Sequence, residues 1–491
     1  ESGGKETVSK PGCCGKRRVV LHGSMSREIQ PDYETQYLFP RSLEEWVGAD
    51  HPARYVREFV DALDLEALGL TDEQKARRED LNGRPHYAVG LLLKLWLYGY
   101  MNRLRSSRAL ERGCRDTLPL VWLAGTHTPD HNTLWRFWSR YRETIRAVFL
   151  QSVRVAMGAN LVGMVMHAVD GTKIRSATSK RTVLHEADLS KLLAQLDADI
   201  ARLEQQIADA GEEGDGADDR LPEDLRKREE LRARIKDSLA MLEVADRKHM
   251  HPQDPDARMM VSHGRTELSY NAQAVVDQKS GVVVAADVTD EENDEHQLEP
   301  MLEQTEQNTG RFAQTTVADS GYHTSEGLGA AEAMGADVLV AVKQKQHQVG
   351  PYHAMNFTYD ETSDAVTCPQ GEILEREGTR THKDKPYPVK TYRCRVSASC
   401  PVANQCSTER RGRLIEISPH HQAIVRNRQH PNARALLRQR QSVVERTFAE
   451  IKEALGMRRW SFRGLQQVKT QWSMMCAAMN LRRMWATSPR P

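Results

Sequence analysis

QSVVERTFAEIK, residues 441–452, reads as an amphipathic helix, with Val444, Phe448 and Ile451 recurring at four- and three-residue steps on one face. Glu445 sits beside that face, and Lys452 follows two turns further on. A carboxylate on a core-packed helix has its rotamer fixed by packing, which suits a metal ligand. Most helical glutamates are solvated surface charges, so the helix alone does not decide its role. Asp170 and Asp319, far upstream and each at the end of an apolar run, favour the ligand reading.

Working outward, the apolar runs set the order of elements. LVGMVMHAVDGTKI (161–174) is strand-like, with Gly171 expected to let the chain turn after Asp170. LSYNAQAVVD (268–277) and GVVVAADVT (281–289) read as a hairpin. A polar stretch and a helix then lead to residues 315–318, which run into Asp319-Ser-Gly-Tyr. A helix near 325–334 and a strand at 337–343 follow. Three hairpin-ordered strands, then strand–helix–strand–helix, predict an α/β fold with a mixed sheet in RNase H-like order. Residues 189–242 carry leucines at 3/4 steps on either side of the acidic GEEGDGADD (211–219), which predicts an inserted coiled-coil hairpin.

The N-terminal part reads as helical. Residues 43–68 form one expected helix, and 87–101 a buried one. In TPDHNTLWRFWSRYRETI (128–145), Thr128 or Asp130 caps a helix whose Leu134, Phe137, Trp138 and Tyr141 face inward. Arg136, Arg140 and Arg142 point away, as in a DNA-binding helix-turn-helix or, equally, on the solvated face of a plain bundle.

The expected divisions are an irregular segment or expression remnant (1–34), with Met25 a sensible start, and a helical DNA-binding domain (35–158). The sheet core falls in three parts (159–184, 251–345 and 426–491), interrupted by the helical hairpin (185–250) and a Cys-rich insertion (346–425).

A 491-residue chain of net charge +1 offers no global field, but residues 426–491 hold 14 Lys or Arg against three acids, which suggests a polyanion partner. No apolar run is long enough to cross a bilayer, and no signal peptide is evident, so a cytoplasmic protein is expected. Four of the eight cysteines, Cys368, Cys394, Cys400 and Cys406, lie in a C-x25-C-x5-C-x5-C pattern. Four thiolates can close a structural Zn²⁺ site; free buried or reactive thiols are the alternative. No P-loop, Gly-rich dinucleotide motif or HExxH proposes a competing chemistry.

Two strand-end aspartates and a helical glutamate converging at one sheet edge supply three hard oxygen ligands. They suit two Mg²⁺ or Mn²⁺ ions in phosphodiester chemistry. Asp170-Gly-Thr-Lys-Ile, Asp319-Ser-Gly-Tyr and Val-Glu445-Arg-Thr-Phe-Ala-Glu-Ile-Lys452 together resemble the DDE transposases of bacterial insertion sequences. So do DPDARMM (254–260), YNAQAVVD (270–277) and NLRRM (480–484), over about residues 35–485.

The resemblance implies an RNase H-like core with Asp170, Asp319 and Glu445 as metal-binding triad. It also implies cleavage at the ends of an element and strand transfer to target DNA. The partners would be double-stranded DNA (terminal inverted repeats and target) and a second copy of the chain when DNA is bound. A related signature, Y-x2-R-x3-E-x6-K, is matched at Glu445 and Lys452 but not at Arg438 and Gln441; Arg440, one residue off, is the nearest substitute. Lys452, Arg440, Arg458, Arg459 and Arg463 are candidate phosphate contacts, and Trp460 a candidate base-stacking residue that would otherwise pack on the sheet. His167, His323 and Asp294 lie near the expected site in sequence. A nuclease of the same fold, or a non-catalytic DNA-binding derivative, are the rival functions.

Overall fold

The structure, a computed structural model, describes residues 42–71, 86–180, 183–212, 221–244, 247–262, 264–342, 350–382, 387–396, 399–409 and 411–488. The irregular segment 1–34 and most of the acidic loop 211–219 lie outside the described residues.

The expected helix over 43–68 is broken. A 3-10 turn (Leu43–Trp46) precedes α1 (Pro52–Asp61). Pro52 is tolerated at a helix start but pushes the residue before it out of helical conformation, and His51 is extended. Helix α2 (Val89–Met101) is buried almost throughout from Leu92. Then come α3 (Ser107–Asp116), α4 (Leu118–Leu123), α5 (His131–Arg140) and α6 (Arg142–Gly158). Asp130 caps α5, its Oδ1 accepting from the Thr133 N–H at 2.7 Å.

The main sheet begins with β1 (Met166–Arg175). The two-residue strands β2 (Leu184–His185) and β3 (His249–Met250) pair at the base of a hairpin of long helices, α7 (Glu186–Glu212) and α8 (Leu221–Val244). Leu189, Leu196, Ile200, Ile235 and Leu242 give that hairpin its own small core. The sheet continues with β4 (Arg258–Ser262), β5 (Arg265–Asp277) and β6 (Val283–Thr289). After α9 (Leu298–Thr309) come β7 (Thr315–Ala318), α10 (Ser325–Ala333) and β8 (Val338–Val340).

Strand β5 lies antiparallel to β1 on one side; on the other it pairs first with β4, then with β6. Strands β7 and β8 extend the sheet parallel to β1. The main order is β6-β5-β1-β7-β8, a mixed α/β sheet.

The Cys-rich region contains a second, wholly antiparallel sheet. Its strands are β9 (Thr358–Asp360), β10 (Ala365–Thr367), β11 (Ile373–Thr381), β12 (Pro388–Arg393) and β13 (Leu414–Ile417). Phe357, Val366, Leu374, Tyr392, Ile415 and Ile417 form its core, so apolar burial holds this module together.

Helices α11 (His421–Gln429) and α12 (Ala433–Ala449) follow, the latter running into a π turn (Glu450–Ala454). In the last helix, α13 (Leu465–Thr487), every residue from Thr470 to Leu481 is buried. That stretch is packed against α2, α6 and β6 at once. One continuous core therefore runs from Val47 to Met484 through the N-terminal helices, the sheet and α13. Asn480 satisfies itself inside that core: it bonds both the N–H and the C=O of Val283 at 2.9 Å.

Candidate active site

Asp170 is the fifth residue of β1, and the strand runs on past it. Gly171 does not turn the chain. It is needed for a close approach: a Cβ there would lie 2.5 Å from Gln273 Nε2 and 2.6 Å from Asp294 Oδ1. The parallel register Ala168↔Val317, carried two places on, sets Asp170 beside Asp319, which follows β7 directly. The Oδ1 of Asp319 accepts from the Gly321 N–H at 2.7 Å and caps the 3-10 turn Ser320–Tyr322. The Oδ1 of Asp170 accepts from the Gly171 N–H at 2.8 Å.

Helix α12 packs across β1, β5 and β7 through Val444, Thr447 and Phe448. From it Arg440 reaches the site: Nη1 lies 3.1 Å from Asp170 Oδ2 and donates to the Val169 carbonyl, also at 3.1 Å. Burial pushes the Asp170 carboxyl up to about 6; Arg440 opposes that rise and the negative charge of Asp319 adds to it. Lys452, in the π turn, is pulled down by burial, while the charge of Asp170 pulls it back up.

Glu445 is not brought to this point. It is exposed, and its Oε1 accepts from Gln441 Nε2 at 2.8 Å. One residue past the buried Val444, it points about 100° further round the helix. Among the described residues, no group of three or more His, Cys, Asp or Glu side chains lies close enough to hold a metal ion. The structure thus unites Asp170 and Asp319 and leaves Glu445 outside them.

Trp460 requires a correction. It is 2% exposed, its Nε1–H donates to the Ile174 carbonyl at 3.1 Å, and it stands edge-on to Tyr270 and Trp472. A ring enclosed in this way cannot stack on a base. Arg459 is also committed inward, donating to the Ser176 and Thr178 carbonyls at 2.9 Å each. Arg458 pairs with Glu453, and Arg463 is exposed. Arg136 and Arg140 lie on the exposed face of α5, the guanidinium of Arg140 5.4 Å from the Tyr141 ring centre. His167 is fully buried, 3.4 Å from Asp277 Oδ2.

Cys368, Cys394, Cys400 and Cys406 border one cleft of about 350 Å³ at the second sheet, and all four are free thiols. Burial, and then the neighbouring thiols, raise Cys394. The donor types suit zinc, but they do not form a closed set of the kind a tetrahedral site needs.

The residues around the aspartates that sequence reasoning missed are Asn271, Gln273 and Tyr322. Asn271 and Gln273 sit at alternate positions of YNAQAVVD, which placed two buried amides on one face of an apolar strand. That was the available signal, since buried amides need partners.

Removing Arg440 is expected to destabilise the fold in a pH-dependent way. The folded carboxyl of Asp170 ionises above its ordinary value, so its ionisation costs stability as pH rises from that value through about 6. In Arg440→Ala the pKa climbs further and the cost grows. Urea denaturation should show a loss of about 2 kcal/mol near neutral pH, shrinking towards about pH 5 where the carboxyl is protonated. An equal loss at both pH values would contradict the pairing.

Two family models match the chain: one described as "Transposase DDE domain" over residues 367–485, and one as "Transposase domain (DUF772)" over residues 41–140. No curated protein and no solved structure matches it.

Proposed function

We propose that this chain, a DDE-type transposase of the insertion-sequence kind, cuts DNA at the ends of its element and joins the freed strands to target DNA. The observation that carries the reading is the pair Asp170 and Asp319 on two neighbouring parallel strands, Asp170 midway along β1 and Asp319 just past β7, with a cation-bearing helix across them. The order β6-β5-β1-β7-β8, antiparallel then parallel, supports an RNase H-like core.

Both aspartates offer hard oxygen donors, and Asp170, partly buried, is a negative charge suited to a cation. Asp170 and Asp319 would hold divalent magnesium or manganese, which when bound supplies charge neutralisation and an activated water or 3′-hydroxyl. Arg440 pairs with Asp170 Oδ2 and would compete with a cation for that carboxylate. DNA phosphate is the natural acceptor for its guanidinium. Glu445 would complete the ligand set only by leaving Gln441. The adjoining π turn, a feature often found at functional sites, is where α12 can adjust. Lys452, which feels the charge of Asp170, would meet a phosphate.

Synapsis of two ends needs at least two copies of the chain. The hairpin α7–α8, with Leu192, Leu231 and Met241 exposed, is the proposed contact between them. Among the described residues no helix is long and apolar enough to cross a membrane.

A joined-product assay tests the function. Duplex bearing the element end, incubated with supercoiled target and Mg²⁺, should give both nicked and joined products. Hydrolysis without joining would favour the rival nuclease; neither product would overturn catalysis altogether.

A further inference from the structure

The loop between β6 and α9 contains a carboxylate for which the proposed reaction has assigned no task. The Oδ1 of Asp294 accepts two amide N–H groups, from Asn271 and Gln273, each at 2.7 Å. Both amides come from β5 and are buried, Asn271 1% exposed and Gln273 0%. The Oε1 of Gln273 accepts from the Tyr322 hydroxyl, so its amide is used at both ends and its orientation is fixed. Tyr322 belongs to the turn that Asp319 caps. The chain of bonds Tyr322–Gln273–Asp294–Asn271 therefore links the turn after β7, the middle of β5 and the loop after β6.

Asp294 also closely approaches Gly171, next to Asp170, and Gly321, two residues past Asp319. Gly171 pairs directly with Gln273, and a Cβ on it would stand 2.6 Å from Asp294 Oδ1. On the other side, a Cβ on Gly321 would stand 3.2 Å from Asp294 Oδ2. Burial, then the charges of Asp294, Asp170 and Asp319, raise the phenol of Tyr322, and Arg440 opposes them. A glycine directly after Asp170 and another two residues after Asp319 thus let Asp294 approach the backbone.

We infer that Asp294 is a positioning residue: it sets the spacing of Asp170 and Asp319 through Gly171, Gly321 and the Gln273–Tyr322 link. This inference rests on the metal-dependent reading above. The role needs an acceptor oxygen at the place of Oδ1 rather than the negative charge, because the two amides and the glycine contacts define it. Asn in place of Asp keeps that acceptor, whereas Ala leaves two buried amides unpaired.

The test measures Mn²⁺ binding by electron paramagnetic resonance and end cleavage over a Mg²⁺ titration, for wild type, Asp294→Ala and Asp294→Asn. Outer residues that orient metal ligands change metal affinity or activity by about 10–100-fold. Asp294→Ala should weaken Mn²⁺ binding by about 10-fold and raise half-saturating Mg²⁺ to match, with binding of end DNA in EDTA unchanged. Asp294→Asn should recover both to within about 3-fold of wild type. An Ala variant with wild-type Mn²⁺ affinity, whatever its melting temperature, overturns the inference. So does an Asn variant as impaired as Ala, which would make the charge itself the requirement. If Asp294→Ala does not fold, Asn271→Ala carries the test: one donor is lost, and an unchanged Mn²⁺ affinity overturns the inference. A wild-type protein that neither binds Mn²⁺ nor cleaves end DNA would instead refute the metal-dependent reading.

Discussion

Asp319→Ala is expected to lower metal-dependent cleavage of end DNA by about 10³-fold, because a bound metal supplies several kcal/mol of charge stabilisation at the transition state. The fold should survive. The lost side chain caps one short turn, and the Tyr322 ring beneath stays buried, so the stability change should be about 1 kcal/mol. A second consequence separates the site from its scaffold. The charge of Asp319 is one of the forces holding the Asp170 carboxyl up near 6, so removing it should let that pKa fall. Carboxyl ¹³C titration by NMR would follow the fall, and gel-resolved cleavage would follow the rate. Cleavage within about tenfold of wild type in the folded variant would end the claim that Asp319 is catalytic.

Trp460→Ala should act on stability instead. The ring is enclosed by Tyr270 and Trp472, and its N–H is matched to the Ile174 carbonyl. Truncating a buried tryptophan costs about 3–5 kcal/mol through the cavity and the lost burial. The orphaned Ile174 carbonyl adds to this. Its neighbours Arg459 and Arg175 join the segment after the π turn to β1, so the loss should loosen the strand that carries Asp170. Urea denaturation would give the number. A variant of near-wild-type stability that binds end DNA weakly would restore the stacking role.

Much of the site could be read from residue order. Asp170 and Asp319 follow apolar runs, and runs of that kind make central strands, so their placement on neighbouring strands was predictable from period and connectivity. The cap at Asp130 was equally local, since a side chain three residues from its N–H partner needs only helix geometry. Glu445 was legible as a residue but not as a contact. Its helix packs where Val444 and Phe448 direct it, and whether a carboxylate one position further round reaches the aspartates depends on rotation and on the pull of Gln441.

Arg440 shows the limit most clearly. As an offset match to a spacing pattern it carried little weight, yet in the fold it is the ion partner of Asp170. Trp460 shows the reverse case. A tryptophan among arginines looks like a nucleic-acid contact in one dimension, and only the arrival of Tyr270 and Trp472 from other elements encloses it.

The sequence by itself determined the α/β class, the order of strands and helices, the interrupting helical hairpin and the two aspartates behind apolar runs. Each of these follows from local period, capping and connection rules. Only the tertiary structure decided that Arg440 rather than Glu445 meets Asp170, and that Asp294 approaches both aspartates across two glycines. It also decided that a second antiparallel sheet with its own apolar core surrounds the cysteines. These are contacts between segments far apart in the chain, set by how helices rotate and where glycines leave room, and no local pattern encodes either.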